Sequence, residues 1–344
     1  MPTGAGWITV GPGYRQWLFG NQLLVDGSAA ISWRSYKMAQ ARVELPRLAG
    51  NRLVVGSQIR WQDLTQINYF GTGADTTESL RSEYRLKSTN VLGYAEIKPI
   101  EWLSFGGRAG WIGRPSVLAP AGSFRRNHPP TQEIFPNDPV FALAEQPRYG
   151  YGEASVAVDT RDHRGYPRRG RIYRAGWSAY SDRDSGTFSF KRTELEAAHF
   201  VPVGTRVVVA ARGWLVTSHT AEGTLVPFYL QPGLGGNNTI RAYDDFRFHD
   251  RHLLVFNVES RFPIFTHLDA ALFADAGSVA ARVSDLDLHR RAYGLGFRVH
   301  TATTTLARID MAVGDGGWML SFRMNDPLHL SRLSRRTAPI PFAP

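Results

Sequence analysis

The chain of 344 residues has no cysteine, so it carries no disulfide framework, stray or otherwise, and that absence fixes no compartment. Nowhere is there the run of roughly 18 apolar residues that a membrane-crossing helix requires. Lysine is scarce: Lys37, Lys87, Lys98 and Lys191 are the only four in a basic set of 40, and arginine supplies the rest. Its planar fork suits carboxylate and phosphate partners. No G-x-S-x-G elbow or H-E-x-x-H pair occurs. The ten histidines, including His163, His199, His219, His249 and His252, are scattered as solvated loop groups tend to be. GGNN and GLGF lack the lysine and helix of a phosphate loop. No catalytic residue, metal ligand set or cofactor is therefore assigned, and an enzyme is not expected. Met1 leads straight into GAGWITVGPGYR, without the basic start, apolar stretch and cleavage site of a secretory leader.

A net charge of +10 suggests nucleic acid at first sight. The arginines, however, are spread through alternating segments and form no tail, helix or stripe, so no nucleic-acid partner is expected. Ionic groups lining a lumen, or anionic lipid headgroups outside it, account for them better.

What the sequence does have is alternation. Sixteen strand-length segments recur, at residues 6–16, 24–36, 38–46, 51–63, 83–99, 102–113, 149–161, 170–181, 187–201, 205–217, 226–233, 252–263, 267–276, 290–300, 303–313 and 316–325. Segment 226–233 also reads as the base of a loop, and 24–36 with 38–46 as one long strand. Short turns such as LAGN, PVG and GDGG alternate with long connectors at 64–82, 114–148, 218–225 and 234–251.

Parity gives each strand two faces. Tyr173, Ala175, Trp177 and Ala179 oppose Arg174, and Val207, Val209, Ala211, Gly213 and Leu215 oppose Arg206 and Arg212. Tyr293, Leu295, Phe297 and Val299 oppose Arg298 and His300, and Ile309, Met311 and Val313 oppose Arg308 and Asp310. A soluble sandwich imitates this over one or two strands but not over the whole chain. The pattern predicts an all-β transmembrane antiparallel barrel, apolar outside and ionic within. Its 12% of aromatic residues fit a girdle at the headgroup level, for which Trp61, Tyr69, Tyr94, Trp102, Trp111, Tyr151, Trp177, Tyr180 and Trp214 are candidates.

The densest stretch runs from Gly235 to Gly277: GGNNTIRAY, a charged connector, FNVESRFPI, a turn, and HLDAALFADAG. It resembles the outer-membrane assembly and translocation superfamily that includes BamA, TamA and the two-partner-secretion transporters, also called the bacterial surface antigen family. There a V-R-G-[FY] loop tip folds into the barrel and its arginine meets the acid of an F-x-D-x-G strand. The matching residues are Ile240-Arg241-Ala242-Tyr243 and Phe273-Ala274-Asp275-Ala276-Gly277, with Ala242 in place of the usual glycine. Asp159-Thr160-Arg161-Asp162 with Tyr166-Pro167 and Gly170 resembles the family's D-x-R...P-x-x-G element, and Asn68–Gly73 (NYFGTG) its aromatic-Phe-Gly-x-Gly element. The resemblance is weak over the first 60 residues and firm from about 150 to 325.

The resemblance implies about 16 strands and a long loop latched inside the lumen by Arg241 against Glu259 and Asp275, with Tyr243, Phe273 and Gly277 around them. Arg161, Arg174, Arg212, Arg261, Arg298, Arg308 and Asp310 are the further lumen charges. It implies insertion, assembly or translocation of outer-membrane proteins or lipid in a bacterial outer membrane. Unfolded outer-membrane proteins, periplasmic factors and lipids with lipopolysaccharide-like anionic headgroups are the partners. The alternative is a passive, anion-preferring pore. Residues 1–326 are expected to form the barrel and 327–344 a basic, proline-containing tail that is disordered or lies on the membrane. No residues remain ahead of the barrel for the family's POTRA domains. The missing leader points to a mature or truncated form.

Overall fold

In the computed structural model, residues 9–121, 128–324 and 328 are described. The strands are β1 (Thr9–Val10), β2 (Gly13–Leu18), β3 (Leu23–Ser32), β4 (Lys37–Leu48), β5 (Leu53–Tyr69), β6 (Ser82–Ile100), β7 (Leu103–Ile112), β8 (Ser116–Leu118), β9 (Tyr149–Asp159), β10 (Gly170–Asp182) and β11 (Phe190–Val203). They continue as β12 (Val207–Thr220), β13 (Gly233–Leu234), β14 (Phe248–His249), β15 (His252–Phe265), β16 (Leu268–Ala280), β17 (Arg290–His300), β18 (Thr305–Gly314) and β19 (Gly317–Arg323). No described helix is long and apolar enough to cross a membrane.

Seventeen of these segments form one sheet, and each ladder in it is antiparallel. β1 and β2 both pair with β3 as halves of one strand, and β8 pairs with β6 beyond the end of β7. Among the described residues the wall therefore has fifteen strands, with β13 and β14 forming a separate two-stranded ladder in the lumen. Segments 24–36 and 38–46 are two strands, β3 and β4. Segment 226–233, read as a strand or as the base of a loop, is loop base: a 3₁₀ turn at Phe228–Leu230 leading into β13. Its Phe228, Tyr229 and Leu230 are all buried, so its apolar residues pack inside the lumen and not against lipid. With fifteen alternating strands, β2 and β19 run in the same direction.

Burial follows the alternation, with the polarity of a soluble protein reversed. On β17, Tyr293 is 58% exposed and Phe297 43%, while Arg298 between outward neighbours is 0% exposed. On β18, Met311 and Val313 face out, and Arg308 and Asp310 are each 1% exposed. Exposed aliphatics over buried arginines make sense only with lipid outside. Arg206 departs from its expected inward place: it lies in the 204–206 turn and is exposed, because the strand begins one residue later.

The connections alternate as well. One rim carries short turns at 19–22, 49–52, 101–102, 204–206 and 266–267, and the other carries loops at 70–81, 113–148 and 221–251. The girdle needs a correction. Trp61, Trp102, Trp111 and Trp177 do face outward, but Tyr69, Tyr94, Tyr151, Tyr180 and Trp214 are buried inside. Several of these rings join Tyr84, Tyr149, Phe190, Phe228 and Tyr229 in a cluster under the long-loop rim. Tyr69 stacks on Phe228 at 4.6 Å between centroids and Tyr180 on Phe190 at 4.4 Å, which suits rings better than an interface with lipid would. Apart from Leu328, the expected tail lies outside the described residues. Leu328 is buried against Ile172, Ala198, Phe200 and Ala210, all inward residues.

Candidate functional site

The 221–251 loop descends from the long-loop rim into the lumen, and its tip must find partners for its backbone groups there. It builds a frame of its own first. Gly235 (φ +116°) and Gly236 (φ +86°) turn the chain, and a Cβ on either would collide with Asp244 O at 2.3 Å or Asp245 Oδ1 at 2.0 Å. The Thr239 hydroxyl then bridges Gly235 N and O at 2.8 and 2.9 Å, and Gly236 N donates to Tyr243 O at 2.9 Å. The wall supplies the remaining partners. Asn237 O accepts from Arg308 Nη2 at 3.0 Å, Asn238 O from Arg212 Nη1 at 2.8 Å, and Thr239 O from Asn257 Nδ2 at 2.7 Å. Arg241 N donates to Asp275 Oδ2 at 3.1 Å.

The Arg241 side chain sits at the centre. Its Nε and Nη2 donate to the two Asp275 oxygens, both at 2.8 Å, a two-pronged pairing, while Nη1 donates to Glu259 Oε2 at 2.9 Å. Its guanidinium carbon lies 3.4 Å from the centre of the Phe273 ring, which closes its remaining face. Burial works against the cation, yet Asp275, then Glu259 and Asp310, outweigh it and raise the Arg241 pKa above its ordinary value.

Glu259 serves three arginines. Besides Arg241 it accepts from Arg298 Nη2 at 2.7 Å and Arg261 Nε at 3.0 Å. Asp310 contacts Arg298 Nη1 at 2.6 Å and accepts from Arg308 Nη1 at 2.9 Å. Four guanidiniums and three carboxylates thus share one buried cluster, so no charge in it stands without an opposite neighbour. The chain continues downward: Arg261 Nη1 donates to Pro167 O at 3.3 Å, in the 160–169 turn of the opposite rim.

That turn is the D-x-R...P-x-x-G element. Arg161 grips Asp159 with two bonds of 2.8 and 2.9 Å, and Gly170 (φ +97°) has no space for a Cβ, which would lie 2.3 Å from Thr160 O. Tyr166 stacks on His300 and bonds to Asp269. NYFGTG works at the other end: Phe70 is fully buried under Arg247 at 4.6 Å, and Gly73 N donates to His249 O at 2.7 Å. Burial pushes the His249 imidazole down to about 4.

Of the sequence candidates, Arg241, Glu259, Asp275, Phe273, Arg261, Arg298, Arg308 and Asp310 meet in one cluster. Arg212 joins through Asn238 and Asn257 while pairing with Glu196 at 2.6 Å. Two others stand apart: Arg161 in its turn, and Arg174, which bonds to Glu153 at 2.6 Å. Tyr243 does not pack on the ion pairs; its hydroxyl donates to Asp315 at 3.0 Å and its ring contacts Phe248. Gly277 is a space requirement, since a Cβ there would sit 2.4 Å from Leu254 O and 3.3 Å from the loop's Leu234.

Sequence reasoning missed Asn257, which donates to both Thr239 O and Asp275, because a lone inward amide carries no motif. It also missed Gly294 and Gly296. A Cβ on Gly294 would lie 2.3 Å from the Phe273 ring, and one on Gly296 would lie 2.8 Å from Arg298 Nη1. Ala242 needs no glycine. It is not among the residues with positive φ, and its Cβ fits against Gly314, where a second Cβ would approach to 2.9 Å.

Residues 152–318 match the Omp85 superfamily domain. None of the curated proteins matches the chain in sequence. Among solved structures, BamA from Haemophilus ducreyi lacking POTRA domains 1–3 aligns with a TM-score of 0.64 at 14% identity, over 93% of this chain and 69% of that one. CdiB from Escherichia coli aligns at 0.59 and 10% identity, over 93% and 60%, and CdiB from Acinetobacter baumannii at 0.56 and 11%, over 91% and 55%. The chain thus spans between about half and about two thirds of the length of these structures, and at such identities they speak for the fold alone. Residues 152–318, just under half of the chain, are thus an Omp85 superfamily domain set in a transmembrane antiparallel β-barrel with an inward loop.

Proposed function

We propose that this barrel serves the insertion, assembly or translocation of outer-membrane proteins or lipid in a bacterial outer membrane, with Arg241 as the latch that keeps the 221–251 loop in the lumen. The observation that carries this is the threefold seating of Arg241 on Asp275, Glu259 and Phe273. A buried guanidinium so engaged fixes the loop against β15 and β16, and through Arg298, Arg308 and Asp310 it also braces β17 and β18. The shape of the wall next to β19 is then set by the loop.

Strand direction supports the same reading. Among the described strands β2 and β19 run the same way, so a strand of opposite direction could pair antiparallel with either one. Strand addition at an edge draws affinity from main-chain bonds and accepts many sequences, which is what a broad client range requires. Unfolded outer-membrane proteins are the clients this reading favours, with periplasmic factors delivering them.

The test is insertion of a urea-unfolded eight-stranded barrel into liposomes containing the purified protein, followed by heat-modifiable gel mobility. The wild type should speed insertion and Arg241→Ala should lose at least tenfold of that gain; equal rates would sink the latch. Planar-bilayer recording addresses the pore alternative. A latched barrel gives small, fluctuating currents, and a wide, steady, anion-selective current would favour the pore.

A further inference from the structure

The outer wall across β9, β10, β11, β12 and β15 is not smooth. Ala175, Ala197 and Gly213 leave a groove of about 490 Å³, flanked by Val156, Val158, Leu195, Leu215 and Leu254. These residues lie in adjoining rows: Val158, Tyr173, Ala197 and Gly213 are cross-strand neighbours, as are Val156, Ala175, Leu195 and Leu215. A Cβ built on Gly213 meets nothing within 4 Å, so the space is open and not already occupied by side chains. Such a volume falls in the range of small-molecule sites.

At its short-turn end the groove meets polar groups that have no reason to face hydrocarbon. Arg171 and His199 are directly opposite each other on β10 and β11, and both are exposed on the outward face. Tyr173 lies between them, with its hydroxyl bonded to the His199 ring and its face 5.9 Å from the Arg171 guanidinium. Arg171 forms no ion pair with a carboxylate among the described residues, unlike the inward Arg174 three residues on. An outward, unpaired guanidinium at a membrane edge seeks a phosphate. Short turns face the periplasm in barrels of this kind, which places the cluster at the phospholipid leaflet.

We infer that this groove holds one anionic phospholipid, with an acyl chain against Ala175, Ala197 and Gly213 and its phosphate at Arg171 and His199. Charge complementarity at one end and an apolar cavity at the other match the two ends of that molecule, and no protein segment offers both as directly. The site is separate from the lumen, so it stands or falls independently of the latch.

The experiment is native mass spectrometry of the full chain released from liposomes of phosphatidylglycerol, or of phosphatidylcholine, after detergent exchange. The expected result is one retained phosphatidylglycerol per chain, at least tenfold over phosphatidylcholine. Gly213→Leu with Ala197→Leu fills the groove while keeping the wall apolar and should abolish retention. Arg171→Gln with His199→Ala should remove the preference for phosphatidylglycerol. Heat-modifiable mobility of each variant confirms that the barrel is folded. Equal retention by the filled variant, equal retention of both lipids by the wild type, or a second polypeptide covering the groove would each overturn the inference.

Discussion

The two halves of the lumen solve the same burial problem differently. In the first half charges gather in small local groups: Arg85 grips Asp63 at 2.7 and 2.6 Å, Arg42 lies 3.8 Å from Asp26 and 3.9 Å from Glu44, and Tyr94 donates to Glu44 at 2.7 Å. Between these lie neutral amides such as Gln58, Gln62 and Asn90, capped by stacked rings. In the second half one carboxylate, Glu259, holds three arginines, and the loop tip is bonded into the same cluster. A local pair can be replaced without disturbing the next, whereas a shared network fails as a unit. The Omp85 match covers 152–318, the half with the network, and this is also where the motifs crowd.

If that contrast is right, Arg241→Ala should produce the largest loss, about 3–5 kcal/mol, because it strands the buried Asp275 carboxylate and takes one of its three arginines from Glu259. Denaturant unfolding in detergent micelles measures it. Arg241→Lys should recover only part, since an ammonium cannot make the paired bonds to Asp275. Next comes Gly277→Val, at about 1–3 kcal/mol by the same measurement, from overpacking against Leu254 and the loop's Leu234.

Acid should act on the loop as well. His249 is held neutral by burial, so its contribution is complete above its unfolded value of 6.5 and is lost as pH falls towards about 4. The slope should approach roughly 1.4 kcal/mol per pH unit inside that window, and His249→Phe should flatten it. Smallest is Tyr94→Phe, at about 1 kcal/mol for one hydrogen bond. Combined with Arg85→Ala, nine residues away along β6, it should add to within about 0.5 kcal/mol. Arg241→Ala combined with Asp275→Asn should be clearly non-additive, and additivity there would erase the distinction between the halves.

Much of this was legible in the sequence, for physical reasons. Strand parity survives in any barrel because one misplaced charge faces lipid, so β10, β12, β17 and β18 could be read residue by residue. Arg241, Glu259 and Asp275 were legible because a buried arginine demands acids, and the resemblance said which ones. What escaped were the residues without charge. Tyr69, Tyr151 and Tyr180 looked like girdle rings because propensity cannot tell a lumen ring from an interface ring, and segment 226–233 looked like a strand because a buried apolar turn has a strand's composition. Gly294 and Gly296 work by making room, and empty space leaves no mark in a sequence.

The central claim is that Arg241 keeps the 221–251 loop inside. Limited trypsin digestion of the folded barrel, followed by mass mapping of cuts after Arg247 and Arg251, tests it most directly. The account predicts that the wild type resists cleavage there while Arg241→Ala is cut at least tenfold faster with the wall strands still protected. Equal protection of the loop in both proteins would contradict it.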